Sequence, residues 1–387
     1  MTEAGRAPGS VLFVHAADEA YGADRILLSQ MTGLRDRGWA VRLVLPDDIE
    51  PGWLSAAAAD AGIPTERLAL AVARRRYLRP AGLPGYLVAI IRARAALRSV
   101  IRRERPEIVH INTSALLVGA ILGRPAGAHV VWQVHEIVVR PRAMAWLFRV
   151  VPMVTADRVI AVSDAVRRHL LGVSRRPSRI VTIRNGIPPR VPDPLPAVAG
   201  EEGLLVAYVG RLNRWKGYEL FVEAASQVAP RFPAARFVVA GDPPPGEDWR
   251  TADLADRIHR AGLDDRIRAL GFVADGAAVF DATDIAVVPS TWPDPFPTVI
   301  LEAMRAGCAV VAADHGGAPE MIDATGGDGV LVPPGDVAAF AEAIATLLAD
   351  PDRRTTMGAA ARRRVAMDFT TDRMLDDLER LYASLLR

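Results

Sequence analysis

Short apolar runs alternate with amphipathic stretches along most of the chain. SVLFVHAA reads as a strand, and Arg25 to Arg37 reads as a helix with Ile26, Leu27, Met31 and Leu34 on one face. Gly38 closes that helix and WAVRLVLP follows as a second strand, so the chain opens as a β–α–β unit. PEIVHINTS and AHVVWQVHE read as strands that deliver polar residues to their carboxyl ends, and ADRVIAVSDAVRRHL as strand and helix with Ser163 as N-cap. LLVAYVGRLNRWKGYELFVEAASQV repeats the strand-to-helix pattern, with ARFVVAGD and RIRALGFV as further strands. Helices from Val337 to Leu348, Pro351 to Met367 and Thr371 to Leu386 are expected to finish the chain.

The pattern is sharpest between Ile285 and Glu320. IAVVP reads as a buried strand, STWPDPFP as a proline-punctuated loop, TVILEAMRAG as a helix ended by Gly307, and CAVVAAD as the next strand. A loop and a helix N-terminus therefore sit at the carboxyl end of a strand, where open parallel sheets bind ligands. Free backbone N–H groups at Thr298 and Val299 favour a phosphate there. Asp294 and Glu302 flank the turn, one in the loop and the other about a turn into the helix.

At 387 residues, half of them hydrophobic, the chain is long enough for two cores. Five prolines between Pro188 and Pro196 mark a linker. The expected division is residues 1–187, a linker over 188–200, and residues 201–387, with the last helix packing back on the first domain. The net charge of +2 conceals a split. Residues 1–190 hold 28 Arg against 15 acids, a net of +13, while residues 191–387 hold 18 Arg and one Lys against 30 acids, a net of −11. The basic half suits an anionic partner.

Arg74, Arg75, Arg76 and Arg79 precede a helix expected from about Tyr86 to Arg103. Its Leu87, Ile90, Ile91, Leu97 and Ile101 are read as facing a core, and Arg92, Arg94, Arg98, Arg102 and Arg103 as standing away from it. Such a face is either merely solvated or an anionic membrane contact; no aromatic interleaving supports nucleic acid. The sole cysteine, Cys308, reads as a buried small hydrophobe. The opening residues lack a signal-peptide pattern, and AMAWLFRVVPMVTADRVIAV is broken by Arg149, Pro152, Asp157 and Arg158, so a cytoplasmic protein without a transmembrane helix is expected.

The stretch Asp294, seven residues, Glu302, Ala303-Met304, Gly307, Gly316-Gly317 and Glu320 resembles the signature of the retaining nucleotide-sugar glycosyltransferases of family 4. That family usually has Glu where Asp294 stands. The resemblance covers most of the chain and implies the GT-B fold, two Rossmann-like α/β domains whose parallel sheets face across a cleft. It implies that Glu302 grips the donor ribose and that Asp294 touches the donor sugar. Gly210-Arg211 and Lys216-Gly217 resemble the family's diphosphate clamp, in which Arg211 and Lys216 stabilise the leaving group. Lys216 is the only lysine among 47 basic residues. Trp215 stands where a P-loop would need glycine, and Gly-x-Gly-x-x-Gly is absent, which counts against a dinucleotide oxidoreductase.

The same resemblance places Gly22 in the first-strand loop, His135 beside the donor sugar, Phe272 and Val273 by the nucleobase, and Phe296, Thr298 and Val299 in the donor site. Asn185-Gly186 matches the segment that closes the first domain. The one Asp-x-Asp, Asp350-Pro-Asp352, falls between helices, where capping is the expected duty, so metal-free leaving-group stabilisation and no cofactor are expected. The implied reaction is sugar transfer from a nucleotide diphosphate sugar to an acceptor such as a lipid-linked glycan or polysaccharide precursor. A sugar-nucleotide epimerase of the same fold and a non-catalytic nucleotide-sugar-binding protein remain the alternatives.

Overall fold

The computed structural model describes residues 8–73, 83–116, 127–174, 176–198 and 203–387. Arg74, Arg75, Arg76 and Arg79 lie outside the described residues. The chain divides into two compact units, Met1–Gly186 with Thr371–Arg387, and Ile187–Thr370.

In the first unit the elements run β1 (Ser10–Val14), α1 (Gly22–Asp36), β2 (Ala40–Pro46), α2 (Trp53–Asp60), β3 (Thr65–Leu68), α3 (Leu83–Glu104), β4 (Ile108–Ile111), β5 (His129–Val134), α4 (Arg142–Thr155), β6 (Arg158–Ala161), α5 (Asp164–Leu171) and β7 (Ile180–Thr182). The strands pair in parallel in the order β3-β2-β1-β4-β5-β6-β7. Near-continuous apolar strands are what a parallel sheet covered on both faces requires; Phe13 and Trp132 are fully buried in it. Ser163 caps α5 by accepting from the Val166 N–H at 3.1 Å.

The second unit runs β8 (Leu205–Val209), α6 (Tyr218–Val228), β9 (Arg236–Ala240), α7 (Trp249–Arg260), β10 (Ile267–Gly271), α8 (Ala277–Phe280), β11 (Ile285–Val288), α9 (Thr298–Ala306), β12 (Ala309–Ala313), α10 (Ala318–Met321), β13 (Val330–Val332), α11 (Val337–Ala349) and α12 (Pro351–Asp368). Its parallel sheet has the order β10-β9-β8-β11-β12-β13. Tyr208, Phe221, Phe237 and Phe340 anchor the core, each side chain contributing about 1.5–3 kcal/mol on burial. Asp350 caps α12 by accepting from the Arg353 N–H at 2.9 Å. Cys308 is buried, and burial raises its thiol pKa well above the ordinary value.

The chain passes between units at Gly186–Ile187 and again at Thr370–Thr371. The last helix, α13 (Thr371–Leu386), belongs to the first unit. There Arg37 pairs with Asp376 and Glu379 at 2.7 Å each, and the Tyr382 hydroxyl meets His110 Nδ1 at 2.5 Å.

The helix α3 corrects one expectation. Ile90, Leu97 and Ile101 are buried as read, but Leu87 and Ile91 are about two-thirds exposed, at 63% and 67%, and Val88 is exposed beside them. The 3.6-residue period identifies a stripe, and only the inward edge of this one meets the sheet. Arg92, Arg102 and Arg103 are exposed, whereas Arg94 and Arg98 are half-buried. Among the described residues no helix is long and apolar enough to cross a membrane.

Gly217 opens α6 with φ +80°, and a β-carbon there would lie 2.1 Å from the Pro289 carbonyl oxygen. Gly246, at φ +81°, faces open space. Gly246→Ala should therefore cost about 1 kcal/mol of backbone strain, and Gly217→Ala about 2 kcal/mol or more. Denaturant unfolding of the two variants checks this, with equal losses counting against the packing argument.

Candidate functional site

In each sheet the strand order reverses direction between two neighbours, β1 and β4 in the first and β8 and β11 in the second. Loops leaving the carboxyl ends of such neighbours diverge and open a crevice. The polar residues singled out in the sequence gather at these two places.

In the second unit the loop after β8 is held by backbone and side-chain hydrogen bonds. The Leu212 N–H donates to the Asp242 carbonyl at 2.8 Å, the buried Tyr208 hydroxyl donates to the Arg211 carbonyl at 2.8 Å, and Asn213 Oδ1 accepts from the Lys216 N–H at 2.9 Å. The loop after β11 is tied to it, since the Thr291 N–H donates to the Trp215 carbonyl and the Thr291 hydroxyl to that of Arg214, both at 2.8 Å. Across this junction Lys216 Nζ lies 2.5 Å from Asp294 Oδ2, with side-chain exposures of 29% and 15%.

The loop after β12 completes the wall. His315 Nε2 donates to the Ser290 carbonyl, and the Gly317 N–H donates to that of Asp294, each at 2.8 Å. Gly316 adopts φ +62°, and a β-carbon on it would fall 2.1 Å from the Asp294 carbonyl oxygen. The Gly-Gly turn thus lets backbone press directly against the Asp294 loop.

Asp294 leads into α9, whose N-cap, Pro297, supplies no side-chain acceptor to the first turn. Thr298, Val299 and Glu302 are half-buried, with Glu302 one turn into the helix. Phe296 is buried, its ring 6.0 Å from that of Phe369, so its side chain is committed to packing. Phe272 is half exposed on the loop after β10, two strands from β8, and Val273 packs on a small cluster with Val238 and Val279. Lys216 and Asp294 are in direct contact; Arg211 shares the Lys216 loop, and Glu302 follows the Asp294 loop.

In the first unit a chain of polar contacts crosses the ends of β1, β4 and β5. His15 Nε2 meets Asp24 Oδ1 at 3.2 Å, Asn112 Nδ2 meets His15 Nδ1 at 3.2 Å, and His135 Nε2 meets Asn112 Oδ1 at 3.0 Å. The network assigns tautomers: the Asn112 amide donates to His15 Nδ1, so His15 donates from Nε2 to Asp24, while His135 Nε2 donates to Asn112. Burial, with His15 and His110 nearby, pulls the His135 pKa down to about 3, so the ring is neutral near pH 7. Glu136 accepts from the Thr113 and Ser114 hydroxyls at 2.6 and 2.9 Å and fixes the loop after β4. Gly22 is the first residue of α1, whose N-cap Tyr21 offers no side-chain acceptor.

Sequence reasoning singled out Lys216, Asp294 and His135 but not Asn112, which bonds His135, Thr291, which ties the Lys216 loop to the Asp294 loop, or Asp24, which bonds His15. The recoverable signal was positional, because each lies in or just beyond a loop following one of the two central strand pairs.

The chain is similar to known proteins along most of its length. Residues 197–364 match the family model described as glycosyl transferases group 1, and residues 21–191 match that described as glycosyltransferase family 4. The alpha-maltose-1-phosphate synthase of Mycolicibacterium smegmatis is 30% identical over 331 residues, 78% of this chain and 84% of that protein. The D-inositol 3-phosphate glycosyltransferase of Kineococcus radiotolerans is 33% identical over 231 residues, 54% of this chain and 53% of that protein. The crystal structure of Anabaena HepE in complex with UDP matches with a TM-score of 0.81 at 25% identity, covering 97% of this chain and all of that one. Fold and site together define a glycosyltransferase with the GT-B fold. The chain belongs to glycosyltransferase family 4.

The buried His110 and the half-buried His135 carry a pH signature. His110 and His135 each have a folded pKa of about 3 against an ordinary 6.5. The unfolded chain therefore binds protons that the folded chain refuses. Their contribution to stability is complete above about pH 6.5 and is lost progressively as pH falls towards 3. Denaturant unfolding should give a smaller free energy at pH 5 than at pH 7. Equal values would rule out that folding holds both rings in neutral form.

Proposed function

We propose that this chain is a retaining glycosyltransferase that moves a sugar from a nucleotide diphosphate sugar to an acceptor bound by the first unit. The observation that carries the reading is the Lys216–Asp294 contact, one cation and one anion fixed on neighbouring strand-end loops. HepE, solved with UDP, supports a nucleoside diphosphate as the leaving group, and the names of the two relatives support glycosyl transfer.

The acceptor hydroxyl attacks the anomeric carbon from the face that the diphosphate leaves. The new C–O bond forms as the bond to the phosphate oxygen breaks, the electron pair stays with the diphosphate, and the hydroxyl proton passes to it. Arg211 and Lys216 hold the charge that develops on the diphosphate. A diphosphate near Nζ draws on the Lys216 charge and frees Asp294 oxygens to accept from sugar hydroxyls. Glu302 takes the ribose, and the N–H groups of Thr298 and Val299 face phosphate. Neutral His135 bonds the sugar without adding charge. Gly22 allows close approach in the first unit, while Phe272, Val273 and the Phe296 backbone border the donor. Fixed cations do the work of a metal ion.

A panel of UDP-, GDP- and ADP-sugars tests this in one experiment. One donor should be hydrolysed or transferred in excess EDTA with retention at the anomeric carbon by proton NMR, and Lys216→Ala should lower kcat by about 10²-fold or more. Inactivity with every donor would sink the transferase reading. Rescue of an EDTA-inhibited enzyme by Mg²⁺ or Mn²⁺ would sink the metal-free assignment alone.

The cytoplasmic, membrane-peripheral site of action and a lipid-linked acceptor are proposed on α3. Leu87, Val88 and Ile91 are exposed near its start, and Arg92 and Arg102 are exposed further along it. Apolar insertion combined with about 1 kcal/mol per basic residue gives salt-sensitive attachment to anionic lipid. The wild-type chain should sediment with phosphatidylglycerol vesicles at low salt but not with phosphatidylcholine vesicles, and Leu87→Ser with Ile91→Ser should release it. Equal behaviour on both vesicles would end this reading and leave catalysis untouched.

A further inference from the structure

Beside the Lys216–Asp294 pair stand two side chains that the reaction just described does not use. Trp215 is 41% exposed and Trp292 is 50% exposed, with ring centroids 6.1 Å apart and planes inclined at 35°. Trp215 directly precedes Lys216, and Trp292 lies two residues before Asp294. Their loops are locked together by the two Thr291 bonds to Trp215 and Arg214, one from its N–H and one from its hydroxyl. Two indoles kept half in water on braced loops next to a polar site form a ready-made contact surface, since aromatic rings supply large, rigid contact area.

We propose that Trp215 and Trp292 form an aromatic platform for a pyranose ring, a reading that rests on the second unit being the nucleotide-sugar site. The C–H face of a pyranose is apolar and weakly positive, and it meets the negative face of an indole favourably. The hydroxyls project from the rim of the ring, free to reach charged partners such as Asp294. A planar base held between the two indoles would need parallel rings, and these are tilted. A puckered chair on an inclined pair meets no such requirement. The ring belongs either to the donor sugar or to a sugar acceptor, and the two sources separate by experiment.

The first arm is saturation-transfer-difference NMR on the full chain with methyl α-D-glucopyranoside and methyl α-D-mannopyranoside. Ring protons of at least one glycoside should receive saturation, and Trp215→Ala with Trp292→Ala should reduce that signal about threefold or more. Both side chains are exposed, so the variants should keep the wild-type melting temperature. No transfer in the wild type, or undiminished transfer in the double variant, overturns the platform. This arm needs no turnover, so it decides the proposal even if no donor is found.

The second arm uses the donor that the panel selects. The double variant should bind the matching nucleoside diphosphate as the wild type does. A rise of about threefold to tenfold in the donor KM places the donor sugar on the platform, and the same rise in the acceptor KM places the acceptor there. Equal weakening of the diphosphate and the nucleotide sugar would show that the indoles only brace the loops, which also overturns the proposal.

Discussion

Parallel pairing of β8 with β11 is the constraint from which the second unit's chemistry follows. The register sets Ile285 against Val206 and Ala286 against Ala207, so the two strands end side by side and their loops turn away to opposite flanks. Lys216 and Asp294 are 78 residues apart in sequence, yet this one pairing puts them in contact. Moving β11 by two residues would carry Asp294 about 7 Å along the strand axis and break the contact. The pairing of β1 with β4 does the same for His15 and Asn112 in the first unit.

The two strand-end clusters solve different electrostatic problems. The second unit keeps full charges, a lysine and an aspartate partly shielded from water, and such a pair is unfavourable to break on one side only. The first unit keeps the His135 imidazole neutral and passes polarity along the amide of Asn112.

Much of this was legible in the chain. Ile285 to Ala313 declares strand, loop, helix and strand through its apolar runs, and Gly307 ends the helix in the left-handed conformation that the sequence signal implies. The resemblance to family 4 also singled out Lys216 and Asp294, but it gave no sign that they touch, because contact depends on strand order and strand order is not local. The Leu87 and Ile91 misreading has another cause. Their spacing fits an apolar stripe, but a stripe wider than the surface it packs on leaves an exposed edge. Asn112 was hidden for a third reason, since in INTS it looks like ordinary loop polarity until His15 and His135 are seen on either side of it.

The arginine-dominated composition has a practical consequence through Lys216. Guanidinium groups do not react with amine-directed reagents near neutral pH because they stay protonated. The chain therefore offers such reagents a single side-chain amine, partly exposed and sited beside Asp294. Lysine coupling to a sensor surface would tether molecules through the loop that carries Lys216. A reductive-alkylation tag on Lys216, read apart from the one on the chain's α-amine, would report on access to the Lys216–Asp294 junction.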